Sequence, residues 1–401
     1  MLYKKTYILY FVFFLWIPFV FSQDLILKKE SFKNKYIAGE DITLEFTNIN
    51  EGNYKLYCSF SYGTTLLKPI ISNKNLIFKI PINISNKKGI IKWKLINKNV
   101  LKTGKIKIVS NSNSSVLETY LGPPSIEAGG KDYTMWVCIP TDNLDNPLEK
   151  NSKVVLKTQH LNTLTTDTLK TNNLIAYKEI YSPLKTGSIL LSSNIDSLHS
   201  KEYDITVLPA IPTNFTINFS RNHTYADGNQ ITTFFTSIIK DKNNNIVSDG
   251  TYVNFIIKNK ENVILKTSGL TIKGIATSEI LHPNHEDSWS VKAYVAGVAE
   301  SNVVNVFYKQ AVKDFNVIFS KKNREIKVGP VTSFMNQIIP DGLPVKFFIY
   351  KNSVLQETVT KTTKDGIVKL YLNKNLFTSD LYAFKIQLAG ITKNFTSIKV
   401  W

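Results

Sequence analysis

Apolar and polar residues alternate through most of this chain, and alternation is the period of a strand with one buried face. Ile42-Thr-Leu-Glu-Phe46 alternates strictly, and Val253, Phe255 and Ile257 point away from Asn254 and Lys258. In residues 24–109 the pattern predicts further strands at 54–60, 76–82, 90–96 and 106–109. Clusters of Gly, Asn, Asp and Lys separate these runs, as turn residues should. No helical period persists beyond a turn or two, so the chain is read as all-β.

The stretch Asp241 to Thr277 supplies a ruler. It holds Asp241-Lys-Asn-Asn-Asn245, Asp249-Gly250 and Lys273-Gly-Ile-Ala276, and ninety-two positions later Asp341-Gly342 and Asp365-Gly366-Ile367-Val368 repeat the pattern. Gly250 to Gly274 and Gly342 to Gly366 are both 24 residues apart, which marks a domain-length repeat. A weaker echo runs through Asp142-Asn-Leu-Asp-Asn-Pro147 and Leu174-Ile-Ala176. Polar residues 110–115 and the Pro-marked stretch 208–212 read as linkers. The expected organisation is a leader at 1–22, then four tandem Ig-like β-sandwiches at 23–109, 116–208, 213–308 and 311–401. Each of these holds one tryptophan, Trp93, Trp136, Trp289 or Trp401, expected to plug its core.

The leader changes the compartment. Lys4-Lys5, an apolar run to Phe21 and Val20-Phe-Ser22 before Gln23 have the three parts of a secretory signal, with cleavage expected after Ser22. Its apolar core is too short to span a bilayer. The mature chain is therefore expected outside the cytoplasm, in the periplasm or at the cell surface, without a transmembrane span.

Composition excludes more than it identifies. The formal charge is +18, yet only Arg221 and Arg324 are arginine. Arginine is the usual fork for guanine edges and phosphates, so sequence-specific nucleic-acid binding is not expected. The lysines read first as a solvated surface, with an acidic polysaccharide, lipopolysaccharide or membrane as the other reading.

Candidate chemistry is sparse. The two cysteines, Cys58 and Cys138, fall in different expected domains; two separate thiols are preferred, and an interdomain disulfide stays open. His282-Pro-Asn-His285-Glu-Asp287 has ligand-like density, but Pro283 makes it a loop between strands rather than a zinc helix. The Asp241 run begins like a calcium loop, yet Ile246 and Tyr252 stand where Gly and Glu are needed. Ser182-Pro-Leu-Lys185 and the Lys-Thr-Gly triplets at Lys185 and Lys102 spell parts of a penicillin-binding signature without its helix, and are read as chance. Six Asn-x-Ser/Thr sequons, beginning at Asn83, Asn113, Asn214, Asn218, Asn222 and Asn394, are read as compositional, and Asp167-Thr-Leu169 and Asp196-Ser-Leu198 as candidate O-glycosylation sites. No catalytic, cofactor-binding or metal residue is nominated, and the chain is read as a non-enzyme.

Tyr225-Ala-Asp-Gly-Asn-Gln-Ile-Thr232, Ile238 to Val247, Lys273-Gly-Ile-Ala-Thr277 and Trp289-Ser-Val-Lys-Ala-Tyr294 together resemble a bacterial Ig-like domain of the invasin and intimin type, Big-1, over 213–308. The first unit, with Ala38-Gly39-Glu40, also resembles macroglobulin-type domains. The resemblance implies an extended rod of sandwiches, as in surface adhesins, although no outer-membrane barrel or terminal lectin-like domain accompanies it. The Ser-Gln leader junction and the Lys/Asn/Ile bias resemble proteins of Bacteroidota. The implied function is an exported envelope scaffold or adhesin binding protein or glycan, the alternative being a periplasmic accessory of an export or gliding complex.

Overall fold

The computed structural model describes residues 26–27, 33–47 and 52–401; residues 26–27 are described by their backbone alone. The expected leader and its cleavage site lie outside these residues. Strands dominate, and the chain is a tandem array of Ig-like sandwiches. Among the described residues a single helical turn, Ile82–Ser85, interrupts them, in the first sandwich.

Two compact units divide the chain: residues up to Gly122 with Met135–Glu179 and Ile189–Asp204, and Pro123–Thr134 with Ile180–Ser188 and Ile205–Trp401. In the first unit, five strands lie in the order Lys35–Ile37, Asn99–Val109, Gly89–Asn97, Lys55–Phe60, Gly63–Leu67. A second sheet carries Thr43–Thr47, Asn75–Lys79 and Ile70–Ser72. Alternation puts Leu44, Phe46, Leu56, Phe78 and Trp93 between the sheets, and Phe46 meets Trp93 edge-on at 5.7 Å. The same unit holds Val116–Gly122 paired with residues 135–141, and Lys153–His160 paired with Thr163–Lys170. Trp136 and Cys138 are fully buried there.

The second unit contains two further cores. Residues 215–308 pack around Phe234, Phe255, Trp289 and Tyr308, and residues 312–400 around Phe347, Phe384 and their neighbours. In the 215–308 sandwich, the long strand Ile264–Ile272 pairs with Tyr252–Lys258 and then, by its last two residues, with Ile275–Leu281. It thereby links the two faces of the sandwich. Burying each large aromatic side chain contributes roughly 2–3 kcal/mol.

Three tryptophans fill cores as expected: Trp93, Trp136 and Trp289 are at most 2% exposed. Trp401 corrects the pattern. Val400 takes the inward position of the last strand, so Trp401 falls outward, 52% exposed, with the Lys399 ammonium 3.7 Å from its ring centre.

Candidate functional site

The repeated Asp/Asn loop is the most organised polar feature of the molecule. Asp241 accepts from Asn243 N at 2.8 Å and Asn245 N at 2.9 Å on one oxygen, closing an Asx-type turn. Its other oxygen accepts from Ala210 N, in the linker, at 2.9 Å. Asn245 then reaches the loop that precedes the linker: its amide donates to Leu184 O at 2.8 Å, and its carbonyl oxygen accepts from Thr186 N at 3.1 Å. Lys185 adds a bond to Asn243 O at 2.9 Å. These residues all belong to the second unit.

The first unit contains the same clasp. Asp142 accepts from Leu144 N and Asn146 N, both at 2.9 Å, and from Asn111 N of the upstream linker at 3.0 Å. Asn146 donates to Asn86 O at 2.8 Å and accepts from Lys88 N at 2.8 Å. At the corresponding third position stand Ser333 and Gln337, which keep the backbone closure, Ser333 N to Gln337 O at 2.8 Å. There the attachment is aromatic instead: Phe334 stacks on Tyr225 at 4.1 Å. Burial raises the pKa of Asp142 and of Asp241, but the hydrogen bonds that each accepts outweigh it and hold both below the usual value.

This geometry assigns most of the sequence's candidate chemistry. The Asp241 carboxylate is filled by N–H donors, so the loop is a connection rather than a calcium site. Ser182 accepts from Gly130 N at 3.1 Å, and Lys185 serves the clasp, so neither is poised as a nucleophile or base. Cys58 and Cys138 are free, fully buried thiols, both pushed up to about 12 by burial.

The two imidazoles of the 282–285 loop have different surroundings. His282 is buried, with Nδ1 2.9 Å from Tyr225 O and its ring edge-on to Tyr308 at 4.9 Å; burial pulls its pKa down. His285 lies against Gly390, where the last two sandwiches form a polar cleft of about 650 Å³. Among the described residues, no group of three or more His, Cys, Asp and Glu is placed to hold a metal. No described helix is long and apolar enough to cross a membrane.

Sequence reasoning missed one repeated residue. Thr171, Thr271 and Thr363 are buried at the same place in three successive repeats, and each bonds the backbone N–H opposite: Ser152 N at 3.0 Å, Thr251 N at 2.9 Å and Leu343 N at 3.1 Å. The aspartate of each Asp-Gly turn also accepts from the turn 24 residues on, with Lys273 N on Asp249 Oδ1 at 2.6 Å and Asp365 N on Asp341 Oδ1 at 2.7 Å. The 24-residue spacing was therefore the mark of a hydrogen bond.

No protein family matches the sequence, and no curated protein does. Similar solved structures include bacterial Ig-like adhesin domains. The Escherichia coli adhesin FdeC aligns with TM-score 0.47 and 11% identity, over 70% of this chain and 95% of its own. Invasin, a bacterial integrin-binding protein, aligns at 0.46 and 11%, over 90% and 76%. InvD of Yersinia pseudotuberculosis aligns at 0.40 and 10%, over 86% and 96%. Likeness of this degree carries nothing about binding, and the Ig-like description rests on the chain's own sheets.

Proposed function

We propose that this chain is a non-enzymatic, exported scaffold or adhesin-like protein of the bacterial cell envelope, built from four sandwiches and binding protein or glycan through its surfaces. The observation that carries the reading is the twice-built clasp. Asp142 with Asn146, and Asp241 with Asn245, devote nearly every polar atom to fixing one sandwich on the residues before it. Such investment in joints suits a protein that must present a surface at a set distance, and it leaves these carboxylates no spare valence for chemistry. Export is read from residues 1–22.

Protease treatment of intact cells tests the reading. Cleavage of the native protein at the surface is expected. Protection on intact cells, with cleavage after the outer membrane is opened, would replace adhesion by the periplasmic accessory role. Cytoplasmic retention would overturn both.

A further inference from the structure

The outward face of the five-stranded sheet in the first sandwich carries lysines and no carboxylate: none of its five strands contains Asp or Glu. The cause is the strand period. Ile91, Trp93, Leu95, Ile106 and Ile108 point into the core, which sends Lys92, Lys94, Lys105 and Lys107 to solvent. Lys35 joins them from the neighbouring strand, directly opposite Lys107. Lys92 stands directly opposite Lys105, while Lys94 stands opposite Thr103 on one side and Tyr57 on the other.

The register turns these five residues into a staircase. It steps from Lys35 to Lys107 across strands, to Lys105 along one, to Lys92 across again and to Lys94 along the next. From the usual strand spacing and rise, the staircase is roughly 16 Å long. Ile90, Thr103, Ser59 and Tyr57 border it without charge.

Like charges directly opposite destabilise a sheet, and this sheet contains two such pairs joined end to end. Some cross-strand lysines elsewhere are answered, Lys292 by Glu300 at 2.8 Å and Lys351 by Asp380 at 2.8 Å, whereas the opposed pairs Lys153/Lys170 and Lys327/Lys369 each stand singly rather than joined to a second pair. Among the described residues, none of the five stripe lysines makes an ion pair. The carboxylate whose field reaches Lys107 and Lys35, that of Glu149, is held by Lys88 at 2.9 Å.

We propose that this lysine stripe binds an unbranched acidic polysaccharide lying obliquely across the strands. The stripe is narrow with neutral borders, which suits a linear polyanion better than the spread of charge on a lipid surface. Lysine offers point charges rather than bidentate forks, and the single ring of Tyr57 is no ladder for stacked bases, which disfavours nucleic acid. Tyr57 beside Lys94 offers a sugar one apolar ring edge next to a cation. The inference names a partner class for the proposed surface-binding role and rests on that reading for its access to glycans.

The test uses the full mature chain on immobilised polygalacturonate, with dextran as the neutral polymer. Vesicles of equal parts phosphatidylcholine and phosphatidylserine and a single-stranded oligonucleotide serve as other polyanions. Binding to polygalacturonate that weakens with added salt is expected. The double variant Lys92→Gln/Lys105→Gln should weaken it roughly tenfold. Lys327→Gln/Lys369→Gln, an isolated opposed pair in the 312–400 sandwich, makes the same charge change and should leave binding within about twofold. The stripe variant should melt no lower than the parent, because it relieves repulsion, so lost binding cannot be lost folding.

No binding, equal losses in both double variants, or preference for the vesicles or the oligonucleotide overturns the proposal. Surface exposure is scored separately by protease on cells. A periplasmic protein that binds the polymer sinks the adhesive role and keeps the stripe; a surface-exposed protein that ignores the polymer does the reverse.

Discussion

At the scale of single residues, three equivalent turns expose the cost of one side chain. Lys273/Gly274 and Asp365/Gly366 have φ of 50°/78° and 50°/68°, the doubly positive pair of a tight hairpin turn. In the 116–208 segment the pair is Asn173/Leu174, at 47°/80°, so a leucine sits where its two counterparts are glycine. A non-glycine residue there costs about 1–2 kcal/mol, part of which glycine returns through the freedom of the unfolded chain. Leu174→Gly is therefore expected to stabilise by about 0.5–1 kcal/mol, read as a later urea midpoint in the fluorescence of buried Trp136. An earlier midpoint would show that the half-exposed leucine packs more than it strains. Turn glycines were legible because few other residues tolerate that backbone. The buried threonines were not, because a threonine on a polar strand looks the same whether its hydroxyl meets water or a backbone N–H. The arginines were legible only by elimination. Arg221 donates to Phe307 O at 2.9 Å beneath the Tyr308 ring, and Arg324 ties carbonyls of Phe377 and Trp401, so both serve the fold.

At the scale of elements, alternation located the strands but said little about which sheet each joins. The strand Ile264–Ile272 alternates throughout, yet its two ends pair with partners on different faces of the sandwich. The change of partner runs past Gly269, where a Cβ would sit 2.0 Å from Thr277 O. Gly269→Ala must push two strands apart and is expected to cost about 1–3 kcal/mol, followed by melting of the fluorescence of Trp289. Ser268→Ala, one residue earlier and exposed, should leave the melt unchanged; equal loss in both would mean general intolerance of the strand rather than close approach. The short parallel strands were half legible. Ala38, Ala128 and Ala226 are buried just after or within strands pairing parallel at 107–109, 206–208 and 309–310, and two of these alanines had marked domain openings in the sequence. The third, Ala128 before Gly129-Gly130, lacks the acidic residue that made the other two conspicuous.

At the scale of the whole molecule, the repeat matters because it was kept at the joints as well as in the cores. A core tolerates many apolar sequences, whereas a clasp needs an acceptor for the linker amide and an amide side chain four residues on. Both survive at Asp142/Asn146 and Asp241/Asn245, in segments whose other residues differ. Asp241→Ala removes the acceptor for Ala210 N, Asn243 N and Asn245 N and leaves the Asn245 side-chain amide with Leu184 O alone. Unpaired buried donors are costly, so about 2–3 kcal/mol should be lost. The loss should be local: faster amide exchange at Ala210 and Thr186 and new proteolysis near 208–212, while Trp289 fluorescence melts nearly as before. Acid should mimic the variant. Both aspartates titrate below their ordinary value of 3.8 in the fold, so their contribution is complete above that pH and is lost as pH falls below it. The parent chain should therefore open at 208–212 under acid before its cores melt, while Asp241→Ala is already open at neutral pH and gains little there. If amide exchange at Ala210 in the parent stays slow until the core unfolds, the clasp is a bystander and the stiffness of this joint lies in the proline-marked linker itself.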